Sequence, residues 1–215
     1  MVIYFAVYVG YLFLRPEGEC LHWLTLVLLP LWGLRLLSGL SFRALPRSLG
    51  LRRDTTLGDL RGAAVLGLGF QFLQLLNARQ RVEFLGALVQ PLGPLLLILA
   101  FVLVLGTAAT TEECFFRGLV QSRLADFCHS EAAGLFLGML AFVLYHVPYA
   151  YLNPAWPSAG NFPQAVQQAI SNGGMSGLAL GFVYWRSDRN LLASICLHAL
   201  INWVPATCLV ARLLA

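Results

Sequence analysis

Residues 95–117 read LLLILAFVLVLGTAATTEECFFR. An unbroken apolar run from Leu95 to Leu105 continues, with no proline to stop it, into Thr110, Thr111, Glu112, Glu113 and Arg117. Such a run is built to sit in hydrocarbon, where ionisable groups are expensive and rare, so two adjacent acids at its end need a reason. Glu113 and Arg117 are four residues apart on a helix, share a face and can form an ion pair that offsets much of the cost of burying the acid. Glu112 points about 100° away from Glu113 by helix geometry. It is not matched by Arg117, which makes it a candidate general base.

The rest of the chain has the same character. Of its 215 residues 59% are hydrophobic and 11% charged, too few charges to clothe a soluble domain. The mean hydropathy is +0.74. The apolar runs are continuous and do not alternate, which argues against a transmembrane barrel. The expected fold is an all-α, polytopic transmembrane helical bundle of about seven spans, since a span takes ~20 residues. The spans fall at roughly 1–14, 21–41, 62–77, 84–106 running on as helix to about 124, 132–150, 165–185 and 191–212. The stretch 1–14 lacks a basic leader and a small-residue cleavage site, so it is expected to stay as a first span. Its five cysteines, at 20, 114, 128, 196 and 208, include no CxxC pair and read as free thiols.

Net charge is +4, and the sequence contains arginine but no lysine. The arginines lie in short connections, with no basic block interleaved with aromatics, so nucleic acid is not an expected partner. The bilayer is. The loop 42–61 carries Arg43, Arg47, Arg52, Arg53 and Arg61 and is placed in the cytoplasm by the positive-inside rule. Alternation puts the turns near 125–131 and 186–190 on the same side, while Arg79 and Arg81 fall on the other. The stretch 151–164, YLNPAWPSAGNFPQ, is uncharged and holds three prolines; it reads as a non-helical interfacial loop. Compactness and arginine bias point to a multi-pass protein of a bacterial inner membrane.

Two further stretches carry polar groups. Phe142 and His146 are four apart, and Gly134 and Gly138 extend their stripe towards a close helix neighbour. Gly173, Gly177 and Gly181 form a second small-residue row for helix packing. Glu112 and His146 are equidistant from the polar turn near His129, so an antiparallel pair joined there would bring them to one depth. His198 and Asn202, again four apart, are the strong polar groups of an otherwise apolar helix and suggest one shared site.

Taken together, Glu112-Glu113-x-x-x-Arg117, Phe142-x-x-x-His146 and His198-x-x-x-Asn202 resemble the three-motif signature of the CAAX-protease and bacteriocin-processing family of intramembrane peptidases, also called Abi proteins. The resemblance covers residues 95–212. It implies endopeptidase activity at or in the membrane on a protein or peptide with a hydrophobic segment. It further implies that Glu112 activates water with help from His146, that His198 and Asn202 stabilise the oxyanion, and that Glu113 and Arg117 support them. Residues 91–215 are then the catalytic core, and 1–90 are N-terminal spans bearing the loop 42–61. Glu112, His146 and His198 could together bind a zinc ion with an open position. No metal or other cofactor is the favoured reading, because asparagine is a poor zinc ligand and a good oxyanion donor. Among family substrates are prenylated proteins, leader peptides and membrane-anchored regulators; C-terminal sorting tags and leaders are the candidates for a bacterial chain. Two other classes compete. A non-proteolytic immunity or scaffold protein would tie its polar groups into a closed, dry network. A transporter would show inverted repeats with polar groups in both halves.

Overall fold

A computed structural model describes residues 23–214, apart from 42, 53, 54 and 155. The expected span at 1–14 and Cys20 lie outside the described residues, as do Arg53 and Asp54 of the basic loop. All regular structure among the described residues is helical. After a π-wound turn, Trp23–Leu28, come α1 (Leu29–Ser38), α2 (Leu57–Leu76), α3 (Ala78–Leu88) and α4 (Gly93–Cys128). The remaining helices are α5 (Glu131–Leu152), α6 (Phe162–Ala169), α7 (Met175–Arg186) and α8 (Leu191–Leu214).

Three of these, α4, α5 and α8, are long and apolar enough to cross a membrane. The seven-span expectation therefore needs adjustment among the described residues, for physical reasons. The expected span 84–106 is broken, because α3 ends at Leu88 and Pro94 starts a new helix one residue into α4. The 20 residues of α2 are long enough, but Asp59, Arg61, Gln71 and Gln74 dilute its apolar character. The expected span 165–185 is α6 and α7 joined through a π-wound turn, Ile170–Gly174. The non-helical loop expected at 151–164 is confined to 153–161.

The turn between α4 and α5 is set by backbone chemistry. His129 takes a left-handed conformation (φ 50°), the Ser130 N–H reaches back to the Ala125 carbonyl, and the Ser130 hydroxyl caps α5 by accepting from the Ala133 N–H. The two helices then run antiparallel in close contact. A Cβ on Gly134 would lie 2.8 Å from the Ala125 backbone, and one on Gly138 would lie 3.0 Å from the Gln121 Cβ. The next level pairs Arg117 with the Phe142 ring, 4.5 Å apart. On the other side of α5, Gly177 and Gly181 approach Met139, Phe142 and Leu135.

At the centre lies α8: 56% of its apolar stretch is buried, against 28% for each of α4 and α5. Pro205 interrupts it and removes the N–H that the Ile201 carbonyl would accept. An orphan carbonyl in a membrane interior is costly, and α2 supplies the missing donor: Gln74 Nε2 donates to Ile201 O at 2.8 Å, and Gln71 one turn earlier donates to Leu200 O. Gly67 brings α2 close enough, meeting the Leu200 side chain directly.

One end of the bundle is held by charges. Arg189 bonds Glu131 at 2.6 Å and Asp126 at 2.8 Å, Arg52 pairs with Asp188, and the Leu191 N–H donates to Gly50 O. The basic loop and the two expected inner turns thus share one face. Thr56 caps α2 reciprocally with Asp59, and the Thr56 N–H holds the Asp59 carboxyl below its ordinary range.

Two outcomes follow for thermal unfolding in detergent. Gly134→Ala forces α4 and α5 apart and lowers stability by about 1–3 kcal/mol, whereas Gly69→Ala, with open space around it, leaves stability unchanged or raises it by up to about 1 kcal/mol. Gln74→Leu costs on the order of 1–3 kcal/mol. That cost shrinks in a Pro205→Ala background, because the restored backbone N–H at position 205 takes the Ile201 carbonyl; an undiminished cost in that background would rule out the capping role.

Candidate active site

The acidic stretch of α4 is wound unusually. Leu105–Ala109 and Cys114–Gln121 are π-type, and Thr110–Glu113 is a single α turn between them. Wide turns of this kind recur at functional sites and loosen the backbone ladder. Hydroxyls on the same helix make up for it: Thr107 donates to Leu103 O at 2.6 Å, Thr111 to Thr107 O at 2.8 Å and Ser122 to Gly118 O at 2.6 Å.

Glu113 is fully buried. Arg117 Nη1 donates to its Oε1 at 3.1 Å, His198 Nδ1 donates to the same oxygen at 2.7 Å, and the Ser194 hydroxyl donates to Oε2. Arg117, 2% exposed, also donates through Nη2 to Gly177 O at 3.0 Å and lies over the Phe142 ring. A buried carboxylate and a buried guanidinium are thereby each matched, the condition under which such a pair can persist. Gln121, one turn on, donates to Gly181 O at 3.0 Å.

Glu112 points elsewhere. It faces a cavity of about 710 Å³ whose wall also includes His146, His198 and Asn202. His198 Nε2 lies 3.8 Å from Glu112 Oε2, beyond hydrogen-bond length but within ion-pair range. With Nδ1 committed to Glu113, Nε2 is the nitrogen His198 turns to the cavity. The Nδ1 of His146 lies 2.8 Å from Phe142 O; a carbonyl only accepts, so Nδ1 carries the proton and Nε2 is left as an acceptor. Phe142 packs at a tilt against His146, with ring centroids 4.5 Å apart, and meets His198 edge-on at 6.2 Å, so one aromatic ring touches both imidazoles. The ring of Tyr145 also packs on His146, at 5.2 Å.

All four candidate catalytic residues thus border one cavity, as does Phe142, while Glu113 and Arg117 lie behind it. Gly134, Gly138, Gly173, Gly177 and Gly181 lie at the contacts of α5 with α4 and with the α6–α7 stretch. Sequence reasoning missed Ser194, although it stands four residues before His198 and so shares the face of His198 and Asn202. It also missed Gln121, which falls four residues after Arg117. The α2 amides could not be found that way, because nothing in their spacing ties them to α8. Among the described residues no group of three His, Cys, Asp or Glu side chains is arranged to hold a metal ion. Cys114, Cys128, Cys196 and Cys208 are free thiols.

No curated protein and no solved structure matches the chain. A family model described as type II CAAX prenyl endopeptidase, Rce1-like, matches residues 94–204, from the start of α4 to beyond Asn202 in α8. That match takes in every residue on the cavity wall from α4, α5 and α8 except Pro205. The protein is an integral membrane protein, and it belongs to the Rce1-like CAAX prenyl endopeptidase family, the CAAX-protease and bacteriocin-processing family that its three polar motifs resemble.

Proposed function

We propose that the cavity hydrolyses a peptide bond of a membrane-anchored or hydrophobic-tailed protein, with Glu112 and His146 activating water and His198 and Asn202 binding the oxyanion. The observation that carries this reading is the convergence of those four side chains, from three helices, on one cavity in which Glu112 is the single acidic group.

A water held between the Glu112 carboxylate and the free Nε2 of His146 loses a proton to Glu112 as its oxygen attacks the scissile carbonyl. Negative charge then develops on the carbonyl oxygen. Asn202 donates to it through its amide N–H, and His198 through Nε2–H in its doubly protonated form, with Glu113 fixing the opposite side of that ring. When the carbon–nitrogen bond breaks, the proton on Glu112 passes to the leaving amine, and the acyl half departs as a carboxylic acid. No step calls for a metal ion. The substrate is a C-terminal sorting tag, made of an apolar helix followed by basic residues, or a leader peptide. A scaffold or immunity protein is disfavoured by the open cavity, since its polar groups would satisfy one another.

The test uses purified protein in detergent with two fluorogenic probes: an apolar helical peptide ending in arginines, and a farnesylated peptide with a CAAX ending. Cleavage of at least one probe is expected. Glu112→Ala, His146→Ala and His198→Ala should each lower the rate by about 10²-fold or more while the protein still inserts and melts cooperatively. Undiminished cleavage by the Glu112→Ala protein would falsify the assignment, and hydrolysis of neither probe by the parent protein would return the scaffold reading.

A further inference from the structure

The cavity wall contains five carboxamides, Gln74, Gln80, Gln168, Asn172 and Asn202, and no arginine. They come from five elements: α2, α3, α6, the π-wound turn after it, and α8. Such a lining would be a poor site for a cationic ligand. A cationic side chain brought inside would find no carboxylate but Glu112, which the reaction uses.

Gln168 and Asn172 stand apart within this set. Asn202 is assigned to the oxyanion and Gln74 caps a carbonyl of α8. Gln168 and Asn172 are four apart and face the same cavity. Their neighbours Gln164 and Gln167 do not border it. The adjacent serines are turned back to their own helix, Ser171 donating to Gln167 O at 2.8 Å and Ser176 to Asn172 O. Among the described residues neither the Gln168 nor the Asn172 carboxamide is taken up by a hydrogen bond.

A carboxamide offers an acceptor and a donor, the complement of a peptide group. Four residues of helix rise about 6 Å. That is close to the ~6.8 Å between alternate residues of an extended strand, whose peptide groups point the same way. A helical segment has already satisfied its own main chain and would gain nothing here, whereas an unwound segment in a lipid-surrounded cavity must have its N–H and C=O groups met.

We propose that Gln168 and Asn172 form a main-chain-binding rail that takes an unwound, extended, uncharged segment of the substrate opposite Glu112. The proposal rests on the endopeptidase reading for the identity of the ligand, but its test measures binding alone. Binding of a fluorescein-labelled apolar peptide of about 20 residues is followed by anisotropy on a Glu112→Gln background, so that no cleavage intervenes. Companion peptides carry an ester in place of one backbone amide, moved position by position through the central segment; each lacks a single N–H. Gln168→Leu and Asn172→Leu should each weaken binding about 3- to 10-fold, the effect of one lost hydrogen bond, with the melting temperature unchanged because neither carboxamide supports the fold. At one or two positions the ester should weaken binding to the background protein by a similar factor, and that discrimination should vanish in one of the two variants. A lysine in the central segment should abolish binding.

The proposal is overturned if the apolar peptide does not bind, if no ester position weakens binding, or if ester discrimination survives in both variants. Binding that behaves as expected in a protein that cleaves neither probe would retain the rail and discard the peptidase.

Discussion

A carboxylate with no access to water, Glu113, is the constraint around which the bundle is organised. A bare charge there would cost several kcal/mol even after relaxation. Its cost is met by three partners from two helices: Arg117 on its own helix, and Ser194 and His198 on α8. Arg117 in turn binds a carbonyl of α7 and lies on a ring of α5. One buried acid therefore ties α4, α5, α7 and α8 together, and these are the helices that bring Glu112, His146, His198 and Asn202 to one cavity. The placement of these four side chains is a product of the same interactions that make the charge tolerable.

The second theme is the fate of backbone groups where no water is at hand. Prolines and π turns are the means by which the long helices are bent and widened, and each leaves a carbonyl to be satisfied. In α4 the hydroxyls of threonine and serine do this locally; in α8 the two glutamines of α2 do it from a neighbouring helix. The second solution has a consequence for chemistry. Ile201, whose carbonyl Gln74 caps, immediately precedes Asn202, so a helix outside the family-matched stretch holds the backbone next to a side chain of the cavity wall.

Fold class and most of the candidate site were legible in the sequence because they depend on local rules. Four-residue spacing placed Glu113 with Arg117 and His198 with Asn202 on common helix faces, and the glycine rows marked where helices would meet. What stayed hidden depends on tertiary context. Apolar length alone did not separate α3 from α4, where proline chemistry sets the boundary, nor did it show how far the polar groups of α2 and of the α6–α7 stretch reduce the number of helices fit to span. His198 shows this limit best. Its spacing with Asn202 suggested one shared site, but the hold of Glu113 on its Nδ1 is a contact that no spacing rule connects across 85 residues.

Two neighbouring glutamates thus meet opposite fates, and the geometry of α4 explains why. Within a single turn of ordinary α-helix, one residue step separates them by about 100°. Placed between two π-wound stretches, that single turn directs Glu113 into the packed interior and Glu112 to the cavity. Glu113 is completely enclosed and serves as a hub, whereas Glu112 borders open space. The 100° step between them is what lets adjacent positions on one helix face the packed interior and the cavity at once.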